Sequence, residues 1–165
     1  MKIAIYPGTF DPITYGHLDV IQRAIEIFDK VIVAVAHNTE KEPMFTIKER
    51  VALIRSAVKK FKRVEVDSFE GLLVDYAKRR KAFTIIRGFR AVSDFEYEFQ
   101  MALTNRKLAG DISTVFLMPH EQYTYLNSSL VREIVLFGGN IKDFVPPNVQ
   151  KALKQKVYQL KKIKI

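Results

Sequence analysis

Residues 3–17 read Ile3-Ala4-Ile5-Tyr6-Pro7-Gly8-Thr9-Phe10-Asp11-Pro12-Ile13-Thr14-Tyr15-Gly16-His17. The first four form a short apolar run, which favours a buried strand. A turn with two prolines and two glycines follows, and an amphipathic helical pattern begins at His17. A strand that passes through such a turn into a helix is the first half of a βαβ unit. The stretch therefore predicts an α/β fold.

The same alternation continues along the chain, with a strand roughly every 25 to 30 residues, as expected for a parallel sheet. The further predicted strands are Val31–Ala36, Val64–Val66, Phe83–Ile86 and Thr114–Met118. The predicted helices between them are His17–Phe28, Ile47–Phe61, Leu72–Arg79 and Val92–Leu108. We therefore expect a Rossmann-like, doubly wound parallel sheet of five strands.

The pattern changes to helices alone after the fifth strand. One helix is predicted over Ser128–Phe137, ending at Gly138-Gly139. A final amphipathic helix should follow Pro146-Pro147, with Asn148 as its cap. No internal repeat, low-complexity segment or linker divides the sequence, so residues 1–165 are expected to form a single domain with a helical C-terminal portion and a basic helical tail over about residues 148–165.

Composition narrows the class of protein without deciding its function. The 165 residues include 27 Lys and Arg against 18 Asp and Glu, a net charge of +9. This excess is compatible with nucleic acid, an anionic surface or small polyanionic substrates, and also with plain solvated helix faces. The chain has no cysteine, hence no disulfide, and no apolar run long enough to span a bilayer. We expect a cytoplasmic protein that binds no membrane.

The loops after the strands are the candidate site, because ligands of such sheets bind at the carboxyl ends of the strands. In the first loop, Gly8 and Gly16 allow backbone N–H groups to approach an anion, and Thr9 adds a hydroxyl. His17 starts a helix, where it could donate to a phosphate. The alternative is a tight turn with a capping histidine. The loop does not match the P-loop, because no Gly-Lys-Ser/Thr follows.

Three other loops add donors at the same edge of the sheet. Lys41 lies after the second strand, and Arg87 and Arg90 bracket Gly88 after the fourth. After the fifth strand, the helix that starts near Ser128 offers N–H groups and hydroxyls to a phosphate, or Asn127 or Ser128 acts only as its cap. These loops contain no metal-ligand set and no Ser–His–Asp arrangement.

Several motifs, in order, resemble those of the bacterial phosphopantetheine adenylyltransferases. They are residues 6–17 with the T-x-G-H element, Met44-Phe45-Thr46, the stretch from Ile86 to Glu98, and Val115-Phe116-Leu117-Met118-Pro119. T-x-G-H alone marks the wider nucleotidyltransferase superfamily, whereas Arg-Gly-x-Arg-Ala-Val-x-Asp-Phe-Glu-Tyr-Glu is much more specific. The resemblance runs from residue 3 to about residue 153.

The resemblance implies transfer of an adenylyl group from ATP to 4′-phosphopantetheine, giving dephospho-coenzyme A and pyrophosphate. It also implies that the reaction uses Mg²⁺, held mainly by phosphate oxygens, so we assign no protein side chain as a metal ligand. The substrate phosphate is the nucleophile, so catalysis would depend on positioning and on charge neutralisation. It also implies a homohexamer, in which Phe95, Tyr97 and Phe99 would be interface or core residues.

The resemblance also implies a role for individual residues. His17 would stabilise the transition state, and Thr9 would contact both substrates. Lys41 and Arg87 would hold the phosphate of phosphopantetheine, and the Leu73 backbone would contact the pantetheine arm. The remaining ATP contacts would come from Phe10, Gly88, Phe89, Arg90, Glu98, Tyr123, Thr124, Tyr125, Leu126, Asn127, Ser128 and Ser129. Relatives commonly have a Trp-Ser-Phe-Ile-Ser-Ser-Ser type of loop where this chain has residues 123–129, so backbone contacts there are the safer expectation.

Two alternatives remain. Another adenylyl- or cytidylyltransferase of the same fold, for example one that acts on nicotinate mononucleotide, would share the T-x-G-H element. A nucleic-acid-binding module would explain the net charge, but the Lys-rich tail carries too few aromatic residues for a stacking platform. We therefore expect small-molecule partners and no nucleic acid.

Overall fold

The computed structural model describes residues 1–37, 42–90 and 92–163. A parallel sheet of five strands lies at its centre, in the order β3-β2-β1-β4-β5. The strands are β1 Ile3–Gly8, β2 Lys30–Ala36, β3 Val64–Phe69, β4 Thr84–Gly88 and β5 Ser113–Leu117. The predicted doubly wound sheet is confirmed, and its strand order reverses at β1, which pairs with both β2 and β4.

Six α-helices and one short 3₁₀ turn, Glu121–Tyr123, complete the described part of the chain. The helices are α1 Tyr15–Ile27, α2 Ile47–Ala57, α3 Leu73–Arg79, α4 Val92–Leu108, α5 Ser128–Leu136 and α6 Pro147–Ile163. None of these helices is both long and apolar enough to cross a membrane.

Alternate residues of the central strand point to opposite faces of the sheet, so β1 contributes to two hydrophobic layers. Ala4 and Tyr6 pack in the larger layer, which is completed by α1, α2, α5 and α6. Ile5 packs in the smaller layer with residues of α3. The side chains of β1 and β2 are buried nearly throughout, as expected for central strands covered on both faces.

Some element boundaries differ from the sequence predictions. Helix α2 ends at Ala57, four residues before the predicted end at Phe61. Helix α6 begins at Pro147, where the missing N–H of proline carries no cost. Asn148 is therefore inside the helix, and the prediction that it caps α6 is wrong; its side-chain N–H donates to the Leu53 carbonyl over 3.1 Å.

Candidate active site

A cavity of about 220 Å³ opens at the carboxyl edge of the sheet, where β1 and β4 meet. It is lined by the loop after β1, the first turn of α1, the end of β4 and the start of α5. The site thus lies at the point where the strand order reverses, as expected for an open α/β sheet.

The amino end of α1 holds His17 in one orientation. Thr14 is the N-cap, and its hydroxyl accepts from the His17 N–H over 3.4 Å. In return, the Thr14 backbone N–H donates to His17 Nδ1 over 3.0 Å. Because Nδ1 accepts this bond, the proton of the neutral ring must be on Nε2. His17 therefore caps the helix and keeps a donor available to the cavity that it lines.

The charge state of His17 follows from its surroundings. Burial and the positive charge of Arg90 lower the pKa of His17 to about 4. The edge of the Phe10 ring packs against the imidazole at a centroid distance of 5.1 Å. At neutral pH the side chain is consequently a neutral hydrogen-bond donor, which is unsuited to the role of a general acid that changes charge near pH 7.

Arg87, at the end of β4, is paired with Glu98 of α4. Its Nε donates to Oε2 over 2.6 Å and its Nη2 to Oε1 over 2.5 Å, a bidentate arrangement. Glu98 is buried, and Arg87 also donates to the Pro7 carbonyl over 3.4 Å. Burial acts to lower the pKa of Arg87, but the side-chain bonds and the charge of Glu98 together outweigh it, so the pKa is raised. The pair directs a positioned cation towards the cavity.

The start of α5 forms the opposite wall. The Asn127 side chain accepts from the Leu130 N–H over 2.8 Å and is the N-cap of the helix. The Ser128 hydroxyl donates to the Pro12 carbonyl over 2.7 Å, and Arg90 donates to the Leu126 carbonyl over 3.1 Å. The first N–H groups of a helix are available to an anion, so this wall suits a phosphate.

A second cavity, of about 570 Å³, shares Thr9, Arg90, Asn127 and Ser128 with the first. Asp11, Arg50 and Arg132 also line it. The Asp11 carboxylate accepts from the N–H groups of Met44 and Phe45, over 2.8 and 2.9 Å.

Arginines from two helices hold the carbonyls of the first loop. Arg50 of α2, only 2% exposed, donates to the Thr9 carbonyl over 2.8 Å, and Arg132 of α5 donates to the Asp11 carbonyl. Sequence reasoning assigned no role to Asp11, Arg50 or Arg132. The position of Asp11 within the motif of residues 6–17 could have indicated a role for it. The sequence around Arg50 contains no pattern that predicts its contact with the first loop.

The comparisons with known proteins agree with this geometry. The model of the Cytidylyltransferase-like family matches residues 5–134. A phosphopantetheine adenylyltransferase of Alkaliphilus metalliredigens is 57% identical over 156 residues, which cover 94% of this chain and 99% of that protein. The phosphopantetheine adenylyltransferase of Thermodesulfovibrio yellowstonii is also 57% identical, over 94% of this chain and 97% of its own length. The chain belongs to the phosphopantetheine adenylyltransferase family.

Solved structures support the fold alone. A putative nicotinate-nucleotide adenylyltransferase from Vibrio parahaemolyticus superposes with a TM-score of 0.70 at 19% identity, covering 93% of this chain and 99% of that one. A lipopolysaccharide core biosynthesis protein from Thermoplasma volcanium has a TM-score of 0.52 at 23% identity, covering 73% and 97%. Membership of the family makes the chain a nucleotidyltransferase.

The structure brings most of the predicted site residues of this family member together. Those that line the first cavity are Thr9, Phe10, His17, Arg87, Gly88, Arg90, Glu98, Leu126, Asn127 and Ser128. Ser129 lines the second cavity. Lys41 lies outside the described residues. Their contacts with substrates stay predictions.

Five predicted residues, described next, line neither of these two cavities. Phe89 packs edge-on against Phe95 and Phe116, and Leu73 lies in the smaller hydrophobic layer. Tyr123 and Tyr125 line a different cavity, near α6, and the Thr124 hydroxyl donates to the Glu121 carbonyl.

Proposed function

We propose that the protein transfers the adenylyl group of ATP to 4′-phosphopantetheine, with dephospho-coenzyme A and pyrophosphate as products. The observation that carries this proposal is the neutral His17, fixed by Thr14, in a cavity that Arg87, Arg90 and a helix amino end surround. Such a site offers donors and cations to phosphates and needs no covalent nucleophile. The family membership supports the same reaction.

In this reaction an oxygen of the acceptor phosphate forms a bond to the α-phosphorus of ATP, and the bond from that phosphorus to the bridging oxygen of pyrophosphate breaks. We assign the His17 Nε2–H to the non-bridging oxygens of the α-phosphate, where charge develops. Arg90, the Thr9 hydroxyl and the first N–H groups of α5 would hold the triphosphate, and Arg87 with Lys41 the acceptor phosphate. Catalysis then rests on position and electrostatics.

We further propose that Mg²⁺ accompanies ATP and is held mainly by phosphate oxygens. The residues fit this arrangement. The Glu98 carboxylate is occupied by Arg87, and the Asp11 carboxylate by two backbone N–H groups. Within residues 1–37, 42–90 and 92–163, no three His, Cys, Asp or Glu side chains form a metal-binding group. Bound Mg²⁺ would neutralise phosphate charge while keeping several water ligands.

The test of the reaction is pyrophosphate release from ATP with three acceptors compared side by side: 4′-phosphopantetheine, nicotinate mononucleotide, and pantetheine without its phosphate. We expect release only with 4′-phosphopantetheine, and loss of release when Mg²⁺ is chelated. Activity only with the nucleotide acceptor would overturn the proposal and would favour a different adenylyltransferase.

We also propose a homohexamer that works in the cytoplasm, where ATP is available. The large apolar side chains exposed along α4 support assembly; they are Phe95, Tyr97, Phe99, Met101, Leu103 and Leu108. Exposed apolar side chains in this number on one helix favour burial against another protein surface. The protein partner that we propose is therefore a further copy of the same chain.

A further inference from the structure

Tyr6 is a buried residue beside the cavity to which the reaction above assigns no role. It lies on the central strand β1, is 5% exposed and lines the first cavity. Its ring meets the Phe10 ring edge-on, at a centroid distance of 5.4 Å and an interplanar angle of 80°. Packing on a central strand and against Phe10 leaves the ring little freedom, so the position of its hydroxyl is well defined.

The Tyr6 hydroxyl has charged neighbours but no hydrogen-bond partner within the described residues. Arg87, Arg90 and Glu98 all act on it electrostatically. Burial raises its pKa, so the group stays protonated and remains a donor at any working pH. Tyr6 Oη is not among the described side-chain atoms that are both fully buried and without a partner, whereas Arg50 Nε is. The hydroxyl is therefore accessible from the cavity that Tyr6 lines, and a donor in that position is suited to a ligand.

The end of β4 leaves room for this hydroxyl. A Cβ atom on Gly88 would lie only 3.3 Å from the Tyr6 hydroxyl oxygen, closer than nine in ten Cβ contacts in proteins. A side chain at position 88, which lines the same cavity as Tyr6, would therefore crowd the hydroxyl.

The two cavities indicate which substrate the hydroxyl faces. Thr9, Arg90 and Ser128 line both cavities, whereas Tyr6 and Arg87 line only the first. In an in-line displacement the attacking and leaving oxygens lie on opposite sides of the phosphorus. If the shared wall and the second cavity take the departing pyrophosphate, the Tyr6 side takes the attacking group.

We propose that the Tyr6 hydroxyl donates a hydrogen bond to the phosphate of the acceptor, as a substrate-binding residue that favours phosphorylated over unphosphorylated acceptors. This inference rests on the proposed function and refines it. The positive charge of Arg87 is partly compensated by its pair with Glu98, so a neutral O–H donor adds to what the arginine supplies. It also orients the phosphate without adding a further cation.

The test is Tyr6→Phe, which keeps the ring and removes only the hydroxyl. We expect the Kd for 4′-phosphopantetheine to rise by about 10- to 100-fold, the factor for a hydrogen bond to a charged group. Calorimetric titration should show a Kd for ATP within about twofold of the original value, because in this proposal ATP does not contact the Tyr6 hydroxyl. Any weak binding of pantetheine without its phosphate should be equally unaffected.

Stability separates this role from a structural one. Because the hydroxyl has no protein partner, Tyr6→Phe should unfold at the same urea concentration as the unchanged protein, or at a higher one. An unchanged Kd for 4′-phosphopantetheine would overturn the inference, whatever the urea midpoint, and so would an affinity loss confined to ATP. If the unchanged protein transfers no adenylyl group to 4′-phosphopantetheine, the proposed function itself fails, and the inference with it.

Discussion

At the scale of single residues, the bond from the Thr14 N–H to His17 Nδ1 has the largest chemical consequence, because it decides which ring nitrogen carries the proton. A histidine at the start of a helix was open to two interpretations, a capping residue or a phosphate donor. The structure shows the capping role, in which Nδ1 accepts from the Thr14 N–H. That role leaves Nε2–H as the donor that the proposed function assigns to the α-phosphate.

The charge state of His17 can be measured directly. In the ligand-free protein, NMR titration of the imidazole nitrogens should give a His17 pKa of about 4 and a proton on Nε2 at pH 7. Between pH 6.5 and 4 the unfolded state binds a proton that the folded state does not, so His17 should lower the free energy of unfolding as the pH falls through that range. His17→Asn should reduce this pH dependence. A measured pKa near 6.5 would contradict the assignment.

Removal of the His17 side chain should act on the transition state rather than on binding. We expect His17→Ala to lower kcat by about 10²- to 10³-fold, as for loss of one preorganised donor, while the Kd for ATP changes little. Steady-state kinetics and calorimetric titration would separate the two. His120→Ala, at an exposed position, is the matched control and should keep its kcat. Equal rates for the two variants would show that the electrostatic role is misassigned.

At the scale of elements, the start of α5 depends on its N-cap residue, Asn127. Its side chain caps the helix through the Leu130 N–H. Asn127→Ala should lower the free energy of unfolding by about 1 kcal/mol, whereas Asn127→Ser should retain most of it. Urea unfolding would test this. If the alanine variant were as stable as the serine variant, the side chain would not act as the cap.

The loop after β1 and the start of α2 are joined by the buried carboxylate of Asp11. Asp11→Ala would leave the N–H groups of Met44 and Phe45 without their acceptor and Arg132 without its charged neighbour. We expect a loss of about 2 to 4 kcal/mol in the free energy of unfolding. Asp111→Ala, an exposed position, is the control and should change it by less than about 0.5 kcal/mol. Equal losses in both variants would argue against this buried junction.

At the scale of the whole molecule, α4 exposes six large apolar side chains to solvent. If its apolar side chains form the contacts between copies, the double substitution Phe95→Glu with Phe99→Glu should give a smaller assembly, because charges would be buried at the contact. Light scattering after gel filtration would measure the mass. Phe137→Glu is the control, since Phe137 is 86% exposed at the end of α5, outside α4. An unchanged mass for the double variant would place the interface elsewhere.

Local pattern was sufficient for much of this protein. The alternation of short apolar runs with amphipathic helices predicted the doubly wound sheet, because side-chain periods of 2 and 3.6 reflect burial directly. The positions of Thr9, His17, Arg87 and Ser128 after strands then placed them at one edge, since the carboxyl ends of parallel strands lie together. The order of the motifs identified the family, and the comparisons confirm it.

Only the tertiary structure decided how these groups are held. Arg50 reaches a carbonyl 41 positions away, and Asp11 reaches N–H groups 33 and 34 positions away. No local periodicity encodes such contacts, because they arise where separate elements pack against each other. For the same reason, the sequence placed Arg87 and Glu98 in the site but not in a bidentate pair, and it placed Tyr6 on a strand but not beside the cavity. The sequence alone determined which polar side chains lie at the carboxyl edge of the sheet. The packing of separate elements decided how those side chains are oriented and which protein groups they bond.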